Sequence, residues 1–509
     1  MNAVLEKAPP AERADEERRS WVAVLALALF EARKLLLRLP VLLMFVLYAA
    51  WIGWTMRDAW TTYPALQDVD RATQTGPLLP ALAVLLCANQ AVLRSRRQDT
   101  DRHFDVLALE PWRRTVAFAL SVVPAAALTA LLVAAQFTWG VLAPGSVGHG
   151  SVGELLVGPL TVLLAGAAGV LLARVVRSPF AAPMLLVLTF FSTLFLGAIS
   201  AGSDDSATRW LVPVIGDASS KTLPSDLLGR PAAWHALYLA GLALTLALAA
   251  VLVNGGRKKT VAAALVVAVG LGTWGAVGQA AKVSKATTDA RVLATLNPAK
   301  VQSCARHGNS TYCAFPEWMP RTGTWAKVTD HVQSLAGGTA AQEKLLVRQR
   351  VEARYGMDGD GAIEPSTVPY QVTVGTRWGG PRVPEFAAAV SSVLVMGSEK
   401  ATSSLCDGRV VTIMWLALGW QSDPLTQLRA VRLDDSVTGS AIVLSPTNPM
   451  SMTAEQTTVV RELLEADKAT IAPKVKAHWA ELTAPKVTTA KVAGLLGVKA
   501  PTGADKCGE

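Results

Sequence analysis

The residues that first suggest a chemical role are the charged side chains of RSRRQDTDRHFDVLALEPWRR, residues 94–114, which include six arginines and four carboxylates. On a helical turn, Phe104 and Leu107 would share one face, with Leu109 at its edge. Such an apolar ridge flanked by charges is typical of a surface that docks onto another protein. If the arginines only anchored the neighbouring helices in the membrane, the basic ends would be explained, but the length of the segment would not.

The histidines and acidic residues do not form a recognisable catalytic or metal-binding motif. His307, His331 and His478 are isolated, and none belongs to an H-E-x-x-H zinc motif. The acidic segment DGDGAIEP, residues 358–365, lacks ligands that an EF-hand needs, and a solvated turn explains it better. A phosphate-binding G-x-x-x-x-G-K-[ST] loop is also missing. We therefore expect no catalytic residue, metal site or cofactor in this chain.

The elements that must position the charged segment are apolar. The chain is 51% hydrophobic and 17% charged, with a mean hydropathy of +0.34, which is too apolar for a soluble multidomain protein. Between Pro40 and Ala281 there are repeated runs of roughly 17–25 apolar residues, the length that crosses a bilayer. They predict about seven transmembrane helices, at residues 40–56, 76–93, 115–139, 154–173, 179–200, 232–253 and 260–281. The fold class is an all-α polytopic membrane domain, residues 39–281, followed by a globular C-terminal domain, residues 282–509.

The distribution of basic residues predicts the orientation. Placing the N-terminus in the cytoplasm puts 18 lysines and arginines of the loops and N-terminal segment inside and five outside, as the positive-inside rule requires. With seven spans, the C-terminal domain is then extracytoplasmic. We expect residues 1–20 to be disordered and residues 21–38 to form an amphipathic helix in the membrane interface. A signal peptide is the weaker alternative, because a charged segment stands where a cleavage site would be.

The cysteines fit an extracytoplasmic C-terminal domain. Cys87 lies in the second span and is explained as a small buried residue, whereas Cys304, Cys313, Cys406 and Cys507 all follow the last span. Four cysteines in an oxidising compartment predict two disulfides, with Cys304–Cys313 the nearest pair. A zinc site is the alternative, but it lacks C-x-x-C spacing.

The C-terminal domain should be mostly helical with some β-structure. The sequence predicts helices at 324–336, 341–354, 384–396, 404–420 and 454–467, and short strands at 369–375 and 440–444. Thr453 and Gln456 have the spacing of a capping box at the start of the last of these helices.

The predicted spans contain few polar residues. Asn89, Gln90, Gln136, His235 and Gln279 are the candidates, and interhelical hydrogen bonds or helix ends explain them better than substrate binding. Because Asp, Glu, Lys and Arg are missing from the span interiors, the sequence offers no obvious means of coupling to an ion gradient. Transport would need another energy source.

This arrangement resembles the membrane subunits of ABC-2 type transporters, over roughly residues 21–255. The resemblance lies in the interfacial helix, six spans with the N-terminus inside, and a charged loop between spans two and three. Comparable positions in that loop are held by Arg97, Thr100, Val106, Leu107, Pro111, Arg113 and Arg114. Asp99 stands where the family usually has glycine, and Thr100 lies further from Pro111 than is usual. The seventh span and the long C-terminal domain also depart from the six-span plan.

The resemblance implies a permease subunit in a bacterial cytoplasmic membrane. Its partners would be membrane lipids, a second copy in a homodimer, and a separate ABC ATPase that holds ATP and magnesium. It also implies that residues 94–114 form a coupling helix that contacts the ATPase. The candidate coupling residues are Arg97, Thr100, Asp101, Phe104, Leu107, Glu110, Pro111, Trp112 and Arg113.

Two other functions compete with export. A membrane sensor whose extracytoplasmic domain binds a ligand would also need a cytoplasmic docking loop. A membrane-anchored ectoenzyme is disfavoured by the missing H-E-x-x-H motif. The net charge of +9 is not a nucleic-acid signal, since much of it is the basic fringe of the predicted cytoplasmic loops.

Overall fold

The computed structural model describes residues 10–97, 110–176, 178–200, 210–214, 222–256, 258–355, 363–403, 405–447 and 449–500. The membrane half is helical. Its helices are α1 (Pro10–Leu36), α2 (Leu39–Thr55), α3 (Ala59–Thr62), α4 (Leu66–Ala72), α5 (Leu78–Arg97), α6 (Pro111–Leu120), α7 (Val123–Leu142), α8 (Val152–Val175), α9 (Ala181–Ser200), α10 (Ser225–Leu228), α11 (Ala232–Val253) and α12 (Lys258–Gln279).

Within the described residues, five helical stretches are long and apolar enough to cross a membrane. They are Leu39–Thr62, Pro111–Leu142, Val152–Val175, Ala232–Val253 and Lys259–Gln279. The other two predicted spans correspond to the shorter apolar stretches Leu78–Arg94 and Ala181–Ser192. A polytopic membrane protein with a small sheet region is therefore consistent with the structure, whereas the count of seven and the orientation stay predictions.

The N-terminal helix begins earlier than predicted. Helix α1 starts at Pro10, so residues 10–20, which we expected to be disordered, are helical. Its end at Leu36 agrees with the predicted interfacial helix. Pro40 occupies the first turn of α2, where its missing N–H leaves no hydrogen bond unmade.

Helix α8 lies at the centre of the membrane half, packed against both α5 and α11. Helices α11 and α12 approach each other closely through glycines. A Cβ on Gly241 would overlap the backbone of Gly272, and a Cβ on Gly275 would overlap that of Tyr238. Small residues at such a crossing allow close backbone packing, which holds the last candidate span against α11.

The C-terminal domain mixes helices with a four-stranded sheet. The helices are α13 (Lys285–Leu296), α14 (Thr322–Leu335), α15 (Arg382–Met396), α16 (Arg409–Leu418), α17 (Pro424–Val431), α18 (Ala454–Glu465), α19 (Lys468–Ala477), α20 (Trp479–Leu482) and α21 (Thr489–Leu496). The strands are β1 (Ser303–His307), β2 (Ser310–Ala314), β3 (Leu346–Gln349), β4 (Gln371–Val374), β5 (Ala441–Val443) and β6 (Met450–Met452). Strands β1 to β4 form one sheet in chain order, antiparallel between β1 and β2 and parallel thereafter, while β5 and β6 pair separately.

Most of the predicted helices of this domain are present, and one is wrong. Helices α14, α15, α16 and α18 match predicted segments, and the capping box from Thr453 to Gln456 is formed in both directions. The predicted helix 341–354 is instead a short 3-10 turn followed by β3. Strand β3 lies between two parallel neighbours, so tertiary pairing overrides the helical propensity of its sequence.

The predicted disulfide between Cys304 and Cys313 is present, with an S–S distance of 2.03 Å. The two cysteines are directly opposed on the antiparallel strands β1 and β2. Cys406 is also disulfide-bonded, and its predicted partner Cys507 lies outside the described residues. Cys87 is a buried free thiol, as expected.

Three connecting segments of the membrane half enter the core of the C-terminal domain. Ala65, Val147, Leu223 and Leu227 belong to the same apolar cluster as the fully buried Trp318, Trp325 and Trp415. These segments are residues 56–77, 143–151 and 222–231, and we call their contact with the C-terminal domain the junction. Segments that the sequence assigns to one side of the membrane thus lie together against this domain.

Candidate functional site

The structure describes the two ends of the charged loop. Thr100, Asp101, Phe104 and Leu107 lie outside the described residues, together with the rest of 98–109. Arg97 is the last residue of α5. Glu110, Pro111, Trp112 and Arg113 form the start of α6, with Glu110 as the N-cap residue and Pro111 in the first turn.

The first end of the loop is fastened to the N-terminal helix. Arg94 Nη2 donates to Glu31 Oε2 over 2.9 Å, joining α5 to α1. The side chain of Glu31 is 9% exposed and that of Arg94 is 30% exposed, so the pair is only partly screened by solvent. Arg38, in the turn between α1 and α2, adds a link to the middle of α5 by donating to the carbonyl of Cys87 over 3.0 Å. A displacement of the last turns of α5 would therefore break these contacts or move α1 as well.

The second end of the loop is also held. The Trp112 ring packs edge-on against Trp21 of α1, with 6.1 Å between the ring centroids. Its indole N–H donates to Glu110 Oε2 over 2.8 Å, and Arg113 forms an ion pair of 3.1 Å with the same oxygen. Because Trp112 is buried, the entry into α6 has a fixed place against α1.

A further hydrogen bond links the start of α6 to the end of α11. Asn254 Nδ2 donates to the carbonyl of Pro111 over 2.7 Å and to Thr115 Oγ1 over 2.8 Å. Asn254 directly follows α11, so both ends of the loop and a third helix meet at one side of the membrane half. A force applied to residues 98–109 would reach α1, α5, α6 and α11 together.

The polar residues within the candidate spans mostly make interhelical hydrogen bonds. Asn89 Nδ2 donates to the carbonyl of Gly169 over 3.2 Å, linking α5 to α8. His235 Nδ1 and Gln279 Oε1 are 2.9 Å apart, linking α11 to α12. This agrees with the structural role that the sequence favoured for these three residues.

Arg321 fastens the C-terminal domain to the membrane half. Its guanidinium is buried at the junction and donates to backbone carbonyls of four residues. The acceptors are Gly145 (3.2 Å), Pro64 (3.1 Å), Thr376 (3.2 Å) and Tyr63. Burial lowers the pKa of Arg321 to about 10, so the side chain remains charged at neutral pH. Gly379 packs against the segment before Tyr63 at a positive φ of 84°, where a Cβ would overlap the backbone of Thr61 and Thr62.

A polar cluster lies at the membrane side of the junction. Glu154, in the first turn of α8, accepts from Arg230 over 2.6 and 3.2 Å, and Gln74 donates to the same carboxylate. Asp70 of α4 accepts from the backbone N–H of Ser151 over 2.8 Å. Burial raises the pKa of Asp70 to about 7, and Glu154 acts in the same direction, while the Ser151 hydrogen bond and Arg71 oppose the shift.

The C-terminal domain contains a cleft of about 270 Å³. It is formed by residues that follow the parallel strands β3 and β4, by the first turn of α15, and by Thr222 of the junction. Crevices at the carboxyl ends of parallel strands are common ligand sites in α/β sheets. Trp378 and Phe386 supply apolar surface, with their ring centroids 5.4 Å apart.

The cleft is also lined by three arginines and two glutamates. Arg382 pairs with Glu385 at 2.7 Å, and Arg350 donates to the backbone carbonyl of Glu364 over 2.6 Å. Arg377 makes one long hydrogen bond of 3.5 Å, to Thr222. Burial lowers the pKa of Arg377, Asp68 opposes that shift, and Arg382 adds to it. Arg377 therefore has donor groups left for an anion.

The three histidines of the C-terminal domain lie apart from one another, each beside a different partner. His307 lies 3.1 Å from Thr322 Oγ1, His331 stacks on Trp420, and His478 pairs with Glu481. Over the described ranges, no group of three His, Cys, Asp or Glu side chains is placed to hold a metal ion. Asp358 and Asp360 of the acidic segment lie outside those ranges.

The sequence did not indicate Arg321, the Glu154–Arg230 pair or the cleft. Their partners are far apart in the chain, up to 258 residues for Arg321 and Tyr63. An isolated arginine or glutamate carries no local pattern that would identify such a contact. No protein-family model matches the chain, and neither a curated protein nor a solved structure does.

Proposed function

We propose that this protein is the permease subunit of an ABC-2 type exporter and works as a homodimer with a separately encoded ABC ATPase. The observation that carries the proposal is the fastening of both ends of the loop to α1, through Arg94–Glu31 and Trp112–Trp21. A loop that only linked two spans would not need both ends held. A loop that receives force from a partner must be held, since slack at its ends would absorb the movement.

In the proposed mechanism, closure of the ATPase dimer on ATP pushes residues 98–109. Because the ends of this segment are fixed, the displacement passes into α5 and α6, and through Asn254 into α11. Helix α8, packed against α5 and α11, moves relative to them and changes which side of the membrane the bundle opens to. The basic-residue distribution and the disulfide support an extracytoplasmic position for the C-terminal domain, which would then lie at the exit.

Co-purification tests this function. The tagged full chain should retain an ABC ATPase from native membranes, and Leu107→Asp or Phe104→Asp should abolish the association by placing a charge in the apolar ridge. Leu433→Asp is the matched control, because Leu433 is a leucine of the C-terminal domain with 65% of its surface exposed. If the loop variants retain the ATPase as well as the control does, the exporter proposal is wrong.

A second candidate function is ligand binding by the C-terminal domain, with the loop docking a signalling protein. The cleft favours it, since arginines beside an aromatic surface suit a small organic anion with an apolar body. Thr222 lines the same cleft, so a bound anion would contact the segment that leads into α11.

Benzoate is a suitable probe for the cleft. Calorimetric titration of the full chain should give heat of binding for benzoate and none for benzyl alcohol, which lacks the carboxylate. Arg377→Gln should weaken benzoate binding about tenfold, the loss typical of one charge-assisted hydrogen bond. Arg461→Gln, at an exposed arginine paired only with Glu465, should leave it unchanged. Equal binding by both variants would exclude the cleft as the anion site.

A further inference from the structure

The junction contains a second cavity, of about 160 Å³, separate from the cleft and from the cytoplasmic loop. It lies where α4, the start of α8 and the segment before α11 meet. Its polar lining includes Gln67, Asp70, Ser151, Glu154, Ser225 and Arg230. Since a water molecule occupies about 30 Å³ in the liquid, the cavity has room for an ion and several waters.

Three buried oxygen atoms of this lining make no hydrogen bond within the described part of the chain. They are Gln67 Oε1, Asp70 Oδ1 and Ser225 Oγ. The rest of each group is anchored. Gln67 Nε2 donates to the carbonyl of Leu223 over 2.9 Å, and Asp70 Oδ2 accepts from Ser151 N–H over 2.8 Å. Buried acceptors are rarely left without a donor or a cation, so three at one cavity call for an occupant.

The carboxylates around the cavity differ in their ion-pair partners. Glu154 is neutralised by Arg230, and Arg71 forms an ion pair with Asp68. Asp70 is 3% exposed and has no ion-pair partner among the residues that the structure describes. His149, at the edge of the cavity, is exposed and lies 3.4 Å from Glu317. Asp70 therefore lacks a direct ion pair, although the nearby Arg71 favours its charged form.

We infer that this cavity binds one sodium-like alkali cation through Asp70 Oδ1, Gln67 Oε1 and Ser225 Oγ, with water completing its coordination. Carboxylate, amide and hydroxyl oxygens are the ligands that hard cations prefer. A single carboxylate without a direct ion pair suits a monovalent cation better than a divalent one. The imidazole of His149 lies 3.4 Å from Glu317, so the three remaining ligands are all oxygens, which transition metals favour less.

The bound cation would strengthen the junction. Gln67 and Asp70 lie on α4, between the first and second predicted spans, whereas Ser225 precedes α11. An ion held by all three would join elements that are far apart in the chain. The hydrogen bond from Gln67 to Leu223 already spans 156 residues between the same two elements. Occupancy would then bias the relative position of α4 and the start of α11. This inference does not depend on an ATPase partner, so it can fail or succeed separately from the proposed function.

Thermal unfolding of the detergent-solubilised full chain tests the site. At about pH 8.5, where the Asp70 carboxyl is ionised, replacing choline chloride by sodium chloride at constant ionic strength should raise Tm by about 2 °C at ten times Kd. Asp70→Asn should abolish the rise. The control is Asp58→Asn in the same connecting segment, since Asp58 is exposed and its ion-pair partner among the described residues is the exposed Arg57. This variant should respond as the wild type does.

Ser225→Ala keeps the test decisive if Asp70→Asn folds poorly. The Ser225 hydroxyl has no hydrogen-bond partner within the described residues, so its removal should leave the fold intact. The sodium concentration that gives half of the maximal rise in Tm should increase several-fold. A wild-type Tm that does not respond to sodium would overturn the inference. A response to pH alone would do the same, because it would assign the cavity to a proton. A sodium response that both Asp70→Asn and Ser225→Ala retain would place the cation elsewhere.

Discussion

Replacing Arg321 by methionine should destabilise the protein by about 3 kcal/mol or more, as expected when a buried, hydrogen-bonded charge is removed and its acceptors remain. The carbonyls of Tyr63 and Gly145 lose the donor that the structure shows for them, whereas those of Pro64 and Thr376 each keep a second donor, Val147 N–H and the Trp318 indole. Methionine retains most of the apolar volume, so the loss reports hydrogen bonding more than packing. Thermal unfolding of the purified full chain should show a lower Tm, and limited proteolysis should release the C-terminal domain faster.

Two variants separate this effect from a general loss of charge. Arg321→Lys keeps the charge but lacks the planar fork, so it should recover only part of the stability. Arg461→Met removes an arginine that is 36% exposed, and its Tm should match that of the wild type. An unchanged Tm for Arg321→Met would show that the carbonyls accept hydrogen bonds from water instead. The stability of the junction would then depend on its apolar contacts alone.

Reversing the charge of Arg94 should uncouple the loop from the membrane helices. In Arg94→Glu, a second carboxylate would face Glu31 in a partly buried position. In the wild type, Arg94 Nη2 and Glu31 Oε2 are 2.9 Å apart at this contact. Repulsion at this distance should release the end of α5 from α1. With the proposed ATPase partner, the stimulation of ATP hydrolysis by the permease should fall at least about tenfold, because a displacement of about 1 Å can lower a rate by up to about a hundredfold.

The reciprocal substitution provides the control. Glu31→Arg combined with Arg94→Glu restores opposite charges and should recover most of the ATPase response. Such a recovery is not expected if the single variant fails only because it is misfolded. Arg57→Glu, at a surface arginine beside Asp58 on the other side of the membrane half, should behave as the wild type does. If the single and double variants are equally impaired, the ion pair does not transmit the movement.

The sequence predicted features that depend on local pattern. Apolar runs located the helices of the membrane half, and the spacing of Thr453 and Gln456 correctly marked the start of α18. The proximity of Cys304 and Cys313 gave the correct pairing, although the sequence did not show that a β-hairpin lies between them. Each of these signals is contained within a few residues of the chain.

Features that depend on tertiary contact were missed. Strand β3 was predicted as part of a helix because its sequence, LVRQ, gives no β-pattern until its neighbours are known. Helices α17 and α21 were also missed because they are only eight residues long, too short for a clear period. The loop was identified by composition, yet its attachment to Trp21 and Glu31 depends on the position of α1.

The backbone carbonyls that accept hydrogen bonds from Arg321 have a consequence for biosynthesis. Tyr63 and Pro64 are synthesised 258 and 257 residues before their donor, and Gly145 is synthesised 176 residues before it. During translation these groups, together with Ala65 and Val147 of the shared core, cannot be covered by the C-terminal domain until that domain has been synthesised and folded. A nascent chain that stopped after α12 would leave that surface uncovered, which makes it a natural substrate for chaperones and for membrane quality control. Completion of the last domain is thus also the step that shields the first connecting segment of the chain.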